Sequence, residues 1–350
     1  MNKLPVFLLC ILLTGCSGNE NVDPAQDTLL RGFRSSKSVS SVAESMESRE
    51  TVLNNNDAIS IMAQIDHQAN AAKNDIELRP TRVTIFGNPK LGTPLMQINQ
   101  LAGLDLPQKM IAWEDKSGQS WVAYNSSNYL SARHGLEKAA EPLNKINGAL
   151  AKLASAAAGQ EIVAGKLTGP DLNEGILILQ SKNDMATTVD KLHEAITSAG
   201  PLKIMAEVNH SANARSINLD LAPTFLFIFG NPKLGSPLMQ SGQAIGIDLP
   251  QKMLVFENTE GVVSVAYNDP SYLAARHGIE DRQKVIATIK KALGKSGNRG
   301  HCTVAAATGP FRLPHPRKSL ENVACFCRAN EKLGCIASQS KFARPTRKAI

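Results

Sequence analysis

Residues 80–97 read PTRVTIFGNPKLGTPLMQ, and residues 223–240 read PTFLFIFGNPKLGSPLMQ. The match extends without a gap to Gly135 in the first copy and Gly278 in the second, with 34 of 56 positions identical. An ungapped internal match of this length indicates a tandem duplication in which each copy is one folding unit. A chain of 350 residues can hold two such units, each large enough to bury a core without disulfide bonds.

The second copy shows the clearer pattern of strands. Its apolar runs predict strands that are separated by turns rich in glycine, proline and polar residues. The predicted strands are residues 176–179, 202–208, 225–229, 252–256 and 262–267. In the first copy the opening run is replaced by the polar residues 33–37, FRSSK, so the sequence gives little support for a strand there.

Helices are expected between these strands. Asn183 or Asp184 is placed to cap a helix whose apolar positions 185, 189, 192 and 196 follow helical spacing. Ser236 is a suitable N-cap, Pro237 suits the first helical position, and Gly246 lies where this short helix should stop. The first copy repeats this pattern at Thr93, Pro94 and Gly103.

The order of these elements predicts the fold class. Strands and helices mix without strict alternation, which favours helices packed on one face of a largely antiparallel sheet. The predicted fold is therefore α+β, made of two tandem two-layer repeats. Trp113 and Trp121 become Phe256 and Ser264 in the second copy, so we do not expect the two repeats to be chemically equal.

The N-terminus has the pattern of an exported lipoprotein. A positive start and an apolar stretch at residues 4–13, too short to span a bilayer, are typical of a signal peptide. The stretch ends in LTGC at residues 13–16, which resembles the bacterial lipoprotein box, so Cys16 is the expected lipidation site and membrane lipid the expected partner. With Ser17 next, a Gram-negative host would place the protein in the cell envelope, on the outer membrane facing the periplasm. The alternative is an ordinary secretory signal with an incidental cysteine.

The predicted domain organisation follows from these features. It comprises a signal peptide at 1–15, lipidated Cys16 and a flexible tether at 16–32, repeat domains at 33–152 and 174–293, a linker at 153–173 and a basic tail at 294–350.

The positive charge of the chain belongs to this tail. It contains 11 Lys and Arg against 2 acidic residues, whereas residues 16–293 are mildly acidic, so we expect no specific nucleic-acid partner. The tail cysteines match no standard zinc spacing. They are Cys302, Cys325, Cys327 and Cys335. Disulfide bonds, a disordered extension that lies on anionic surfaces through its charge, and a misassembled gene end are the alternatives.

Several motifs occur in both copies. They are Phe86–Met96, Asp105–Pro107, Tyr124–Asn125 and Arg133–Gly135, with counterparts Phe229–Met239, Asp248–Pro250, Tyr267–Asn268 and Arg276–Gly278. These motifs resemble the domain-of-unknown-function 302 family. The resemblance implies a two-layer fold similar to that of the TATA-binding protein, and it brings no established activity. Single-domain members are expected to pair, so the resemblance implies intramolecular repeat-repeat pairing, an internal pseudo-dimer.

The loop at residues 87–92 and its twin at 230–235 each lead into a helix N-terminus beside a lysine. Free backbone N–H groups and the helix dipole favour an anion at such a place. The candidate binding residues here are Asn88, Lys90, Asn231 and Lys233. The alternative is a tight turn whose lysine points to solvent.

Further ligand-binding candidates are the titratable residues shared by the copies. They are His67, Lys109, Glu114, Tyr124 and His134, with counterparts His210, Lys252, Glu257, Tyr267 and His277. Such groups build a site only if they converge. Capping of a helix C-terminus is the alternative for His134 and His277, and a structural hydrogen bond is the alternative for His67 and His210. No spacing predicts a metal ion or a cofactor.

Two functions from different classes are compatible with these residues. The favoured one is a module that binds a small anionic or amphiphilic ligand or serves a structural role. The alternative is a hydrolase or isomerase that uses His67 or His210 as general base. Against the enzyme, no Gly-x-Ser-x-Gly motif is present, and no cysteine lies between residues 17 and 301.

Overall fold

The computed structural model describes residues 32–162 and 168–299. The expected signal peptide, Cys16, the tether up to residue 31, and the tail beyond residue 299 with its cysteines lie outside the described residues. Among the helices that are described, none combines the length and the apolar character needed to cross a membrane.

The two repeats contain the same elements in the same order. The first repeat comprises β1 (Phe33–Lys37), α1 (Val42–Asn54), β2 (Ser60–Asp66), α2 (His67–Ala72), β3 (Thr81–Gly87), α3 (Pro89–Ile98), the first 3₁₀ helix (Gln100–Leu104), β4 (Gln108–Glu114), β5 (Ser120–Asn125), α4 (Ser127–His134) and α5 (Ala140–Ala158). The second comprises β6 (Ile176–Gln180), α6 (Met185–Thr197), β7 (Lys203–Asn209), α7 (His210–Arg215), β8 (Thr224–Gly230), α8 (Pro232–Ser241), the second 3₁₀ helix (Gln243–Ile247), β9 (Gln251–Glu257), β10 (Val263–Asn268), α9 (Pro270–Arg276) and α10 (Gln283–Arg299).

Each repeat forms one five-stranded antiparallel sheet. The strand order is β1-β5-β4-β3-β2 in the first repeat and β6-β10-β9-β8-β7 in the second. Matching registers, such as Ile111 opposite Ala123 and Leu254 opposite Ala266, show that the copies fold alike. The predicted α+β class with two tandem repeats is confirmed.

Strand β1 forms despite its polar sequence. It pairs antiparallel with β5 along its whole length, from Phe33 opposite Asn125 to Lys37 opposite Trp121. An edge strand needs backbone pairing on one side only, and the single buried side chain of Phe33 anchors it. The doubt that the polar sequence raised about this strand was therefore wrong, because the criterion of apolar content applies to central strands.

The helices α3 and α8 begin earlier than the sequence suggested. Asn231 is the N-cap of α8, with its side chain accepting the Lys233 N–H, and Pro232 occupies the first helical position. Ser236 and Pro237 lie inside the helix, and Gly246 belongs to the separate second 3₁₀ helix. The expected Ser236 cap was wrong, because a proline that follows an asparagine cap supplies the same start signal one turn earlier. The same correction applies to Thr93, Pro94 and Gly103.

Both faces of each sheet are buried. One face packs on its own helices, with residues such as Met110 in the first repeat and Phe227 in the second. The opposite faces form a third apolar cluster that contains residues of both repeats, among them Ile85, Ile111 and Leu254. Because side chains alternate along a strand, burial on both faces requires continuous apolar runs such as residues 225–229, FLFIF.

Candidate functional site

Two short helices place one histidine of each repeat against the other repeat. Asp66 caps α2 by accepting the Ala69 N–H at 2.8 Å, which makes His67 the first helical residue. Asn209 caps α7 in the same way, so His210 opens this short helix. Both imidazoles are buried, at 6 % and 4 % exposure.

Each histidine lines a pocket built mainly by the opposite repeat. The first pocket, of about 80 Å³, lies against the loop of Asn88 between α3 and α5 and is closed by His210 and Asn213. The second pocket, of about 70 Å³, lies against the loop of Asn231 between α8 and α10 and is closed by His67. Both pockets are therefore composite sites that neither repeat makes alone.

The two imidazoles are neutral at physiological pH. Burial lowers the pKa of each to about 4, although His67 hydrogen-bonds the backbone of Gly246 and His210 hydrogen-bonds the backbone of Gly103. Within the described residues, Nε2 of each ring is buried without a hydrogen-bond partner. The backbone bond is then made by Nδ1–H, which leaves Nε2 as a free acceptor.

Each pocket also contains a buried hydroxyl group. Thr93 lines the first pocket and Ser236 the second, and both are 1 % exposed. Neither hydroxyl oxygen has a partner in the described part of the chain, and the same holds for Nε2 of Gln108 in the first pocket. The rest of the lining is largely apolar. Unpaired polar atoms on residues that line an apolar pocket are a common mark of a small-molecule site.

The two loops use their own backbone N–H groups. Asn88 accepts the N–H of Lys90 through its side chain and the N–H groups of Leu91 and Gly92 through its carbonyl. Lys90 and Lys233 are exposed and lie outside the pocket linings. The asparagines thus serve as caps and as pocket walls, and the lysine side chains stand apart from the pockets.

Four other candidates meet in a buried charge network between the repeats. In the first half, Asp105 Oδ2 accepts Arg133 Nη1 at 2.7 Å and lies 2.9 Å from His134 Nε2. In the second half, Asp248 Oδ2 makes equivalent contacts. They are 2.6 Å to Arg276 Nη1 and 2.8 Å to His277 Nε2.

The charge network crosses from one repeat to the other. Arg133 donates to Asn268 at 2.8 Å, and Arg276 donates to Asn125 at 2.7 Å. The ammonium group of Lys252 lies 3.4 Å from Asp105 Oδ1, and that of Lys109 lies 3.6 Å from Asp248 Oδ1. Lys109, Lys252, His134 and His277 therefore belong to this network and not to the pockets.

Electrostatics in the network favours charged aspartates and neutral histidines. Burial alone would raise the pKa of Asp105, but Arg133, Lys252 and the bond from His134 hold it well below its usual value. The pKa of Asp248 is lowered in the same way against burial, by Arg276, His277 and Lys109. Burial lowers the pKa of His134 and of His277 despite their bonds to the aspartates.

The remaining candidates lie elsewhere. Tyr124 and Tyr267 belong to the apolar cores beneath the helices, where burial raises their pKa. Glu114 and Glu257 are half-buried ends of strands β4 and β9. None of these four lines either pocket. Across residues 32–162 and 168–299, no group of three or more His, Cys, Asp or Glu side chains is arranged to hold a metal ion.

The sequence reasoning missed several residues of these sites. The sequence predicts caps at Thr93 and Ser236 and indicates no site role for Asp105 and Asp248. Their signal was present, because the aspartates are identical and the hydroxyl is retained in both copies. Only the contacts between the repeats show which of these paired residues lie together.

Comparisons with known proteins identify what the chain is similar to. A family model described as "Domain of unknown function DUF302" matches residues 33–153 and 177–296. The fluoride-specific ion channel FluC 1 of Brucella suis biovar 1 is 37% identical over 108 residues, which are 31% of this chain and 42% of that protein. FluC 1 of Brucella abortus biovar 1 is also 37% identical over 108 residues, 31% of this chain and 40% of that protein. The chain thus spans about two fifths of the curated relatives that it matches.

One solved structure is also similar. It is described as an uncharacterized conserved protein DUF302 from Bacillus stearothermophilus, with 17% sequence identity and a TM-score of 0.33. The similarity covers 36% of this chain and 98% of that one.

Proposed function

From the premise that this chain belongs to the DUF302 family, with two tandem copies of its domain, we propose that its two composite pockets bind small amphiphilic ligands. The ligand places an apolar group against the pocket wall and a hydrogen-bonding head against the histidine and the hydroxyl group. The two repeats act as an internal pseudo-dimer, because each pocket takes its wall from one repeat and its histidine from the other.

The observation that carries the proposal is the pair of unpartnered polar groups in each pocket. His210 Nε2 with Thr93 Oγ1, and His67 Nε2 with Ser236 Oγ, are buried without hydrogen-bond partners in the described residues. A buried polar group that lacks a partner costs about 1–3 kcal/mol. A ligand head that bonds both groups offsets this cost, whereas a purely apolar ligand does not.

The hydrogen-bonding properties of the imidazole and the hydroxyl group determine which polar group of a ligand they bind. A bare imidazole nitrogen accepts a hydrogen bond, and a hydroxyl group either donates or accepts. An alcohol can donate to the imidazole and accept from Thr93 or Ser236. An anion is disfavoured, because it would face the lone pair of a neutral imidazole.

The volume of the pockets limits the size of the apolar part of the ligand. A volume of about 70–80 Å³ corresponds to roughly two to three water molecules at liquid density. The apolar part that enters is therefore a short chain, and we propose a short-chain alcohol or the hydroxyl-bearing end of a longer amphiphile.

Methionine methyl groups report on both pockets separately. Met62 and Met96 line the first pocket, and Met205 and Met239 line the second. When protein labelled with ¹³C-methyl methionine is titrated with 1-butanol, the methyl resonances of both methionine pairs should shift until they saturate. Ala149→Leu fills the first pocket only, so it should abolish the response of the first pair and preserve that of the second.

Removing the hydroxyl group of each pocket gives two matched variants, one for each pocket. Thr93→Val keeps the shape and removes an unpartnered hydroxyl, so it should weaken butanol binding in the first pocket without loss of stability. Ser236→Ala should do the same in the second pocket. The proposal fails if no methionine methyl shifts saturably, or if Ala149→Leu leaves the response of the first pair intact.

The enzyme alternative depends on the same pairing, since a hydroxyl nucleophile needs an adjacent base. A pKa of about 4 makes His67 and His210 weak bases, and neither pocket lining contains a carboxylate that would orient them. Hydrolysis of p-nitrophenyl butyrate that is lost in both Thr93→Val and Ser236→Ala would favour the enzyme.

We also propose that the protein is a lipoprotein of the cell envelope, anchored through acylated Cys16. The LTGC sequence at residues 13–16 supports this proposal. Labelling of cells with an alkyne analogue of palmitate should modify the intact protein and not the Cys16→Ala variant. Equal labelling of both proteins would exclude this anchor.

A further inference from the structure

The charge network between the repeats contains more cations than anions. Six ionisable residues form its centre, and each is 5 % exposed or less. They are Asp105, Asp248, Arg133, Arg276, Lys109 and Lys252. Burial lowers the pKa of His134 and His277, so these neutral rings do not add to the excess of cationic over anionic side chains.

The arginines and aspartates pair one to one. Arg133 contacts Asp105 at 2.7 Å, and Arg276 contacts Asp248 at 2.6 Å, which are lengths of strong charge-assisted bonds. The guanidinium group of Arg133 also donates to Tyr129, Asn268 and a backbone carbonyl. The two lysines are therefore the cations in excess.

The lysines are poorly paired and lie beside each other. Their ammonium groups are 3.4 Å and 3.6 Å from the aspartates, longer than such ion pairs usually are. Lys109 Nζ has no hydrogen-bond partner within the described residues, and the ammonium of Lys252 lies against it. A buried ammonium group that makes no hydrogen bond is costly, so a bound counter-ion stabilises this arrangement.

We propose that a halide ion binds between Lys109 and Lys252, at the meeting point of the two repeats. A single spherical anion accepts from both ammonium groups without a directional requirement. The nearby carboxylates of Asp105 and Asp248 repel anions of higher charge, which favours a monovalent ion. This site is separate from the two pockets and does not depend on their function.

Protonation of Lys109 supports the proposal. Burial and the neighbouring Lys252 lower the pKa of Lys109 to about 7. The halide stabilises the charged ammonium, so binding takes up a proton, and affinity rises as the pH falls from 8 to 6. The groups that face Lys109 are Lys252, Asp248, Asp105 and His277. The two aspartates stay charged in that range because their pKa values are held well below the usual value, and burial lowers the pKa of His277.

The test uses the full mature chain in buffers of constant ionic strength. Unfolding temperatures are compared in gluconate, fluoride, chloride and bromide, and crystals soaked in bromide are measured at the bromine absorption edge. We expect a higher unfolding temperature in at least one halide than in gluconate, a larger difference at pH 6 than at pH 8, and an anomalous peak between the two lysines.

Lys109→Met is the test variant, and Lys90→Met is its matched control. Both remove one positive charge, but Lys90 is exposed. We expect Lys109→Met to weaken halide affinity on the order of tenfold or more, a change of at least about 1.4 kcal/mol, and Lys90→Met to leave it unchanged. Equal unfolding temperatures of the wild-type protein in all four salts, or the absence of bromide between the lysines, would overturn the proposal. These two measurements do not require that the Lys109→Met protein folds.

Discussion

Single aspartates hold the contact between the repeats together. Asp105 accepts Arg133 and contacts His134 of its own repeat and Lys252 of the other. Asp248 does the same with Arg276, His277 and Lys109. Each carboxylate therefore fixes one arginine and one lysine at once, and its loss leaves both cations buried without an anion.

At the residue scale, we predict that Asp105→Asn lowers the free energy of unfolding by about 3–5 kcal/mol, because removal of one partner strands buried charges. Urea unfolding measures this change. Asp66→Asn is the control, since Asp66 pairs with Arg82 at 31 % and 38 % exposure, and it should cost less than about 1 kcal/mol. Equal costs of the two substitutions would contradict the role of the buried network.

At the scale of elements, the two 3₁₀ helices position the repeats. The first packs on β8 and β9 of the second repeat, and the second packs on β3 and β4 of the first. Gly103 and Gly246 lie in these helices and face the opposite repeat. A Cβ atom would lie 2.9 Å from Leu254 Cδ1 at Gly103 and 2.8 Å from Ile111 Cδ1 at Gly246. The same helices provide the backbone groups that bind His210 and His67.

Gly103→Ala should therefore destabilise the protein by about 1–3 kcal/mol through overpacking against the opposite sheet. Gly148→Ala is the control with the opposite sign. A Cβ at Gly148 meets nothing within 4 Å, and alanine inside helix α5 is roughly 0.5–1 kcal/mol more favourable than glycine. Thermal unfolding of the two variants should shift in opposite directions, and a stabilising effect of Gly103→Ala would contradict the close approach.

For the whole molecule, buried titratable groups predict the dependence of stability on pH. The pKa of His67 and of His210 is about 4 in the folded protein, below the ordinary 6.5, so the unfolded chain binds protons first as the pH falls. The contribution of these histidines to stability is then constant above pH 6.5 and is lost toward pH 4, by about 1.4 kcal/mol per pH unit for each histidine at most. His134 and His277 act in the same direction.

Urea unfolding at several pH values between 7.5 and 4.5 measures this slope. The double variant His67→Leu and His210→Leu should make the slope shallower, because it removes two of the groups that resist protonation. Below about pH 3.8, protonation of Asp105 and Asp248 should add a further loss, since their pKa values are lowered in the folded state. An unchanged slope in the double variant would contradict the assignment to these histidines.

Because the third apolar cluster contains residues of both repeats, we expect the first repeat to self-associate when it is expressed without the second. Residues 32–162 expressed by themselves expose Val83, Ile85 and Ile111, each at most 1 % exposed in the intact chain. We expect this fragment to self-associate through that sheet face, which sedimentation velocity measures. Ile111→Glu should prevent the association. A fragment that is folded and monomeric at high concentration would contradict the prediction.

The repeat and most element boundaries followed from local patterns. Runs of apolar residues predicted the central strands, and Asn183 or Asp184 predicted the start of a helix that Asp184 caps. The predictions from the sequence were wrong where two local signals compete or where a strand lacks an apolar run. Ser236-Pro237 imitates a helix start that Asn231-Pro232 already supplies, and β1 forms with a polar sequence, which an edge strand tolerates.

By itself, the sequence determined that the chain is a tandem duplication with an α+β fold in each copy, because hydrophobic periodicity and turn residues act over short distances. Only the tertiary structure decided which residues meet across the copies. Lys252 reaches Asp105 over 147 residues of sequence, and each pocket joins the histidine of one repeat to the hydroxyl group of the other. Such contacts depend on how two sheet faces pack against each other, and no local pattern in the chain encodes that register.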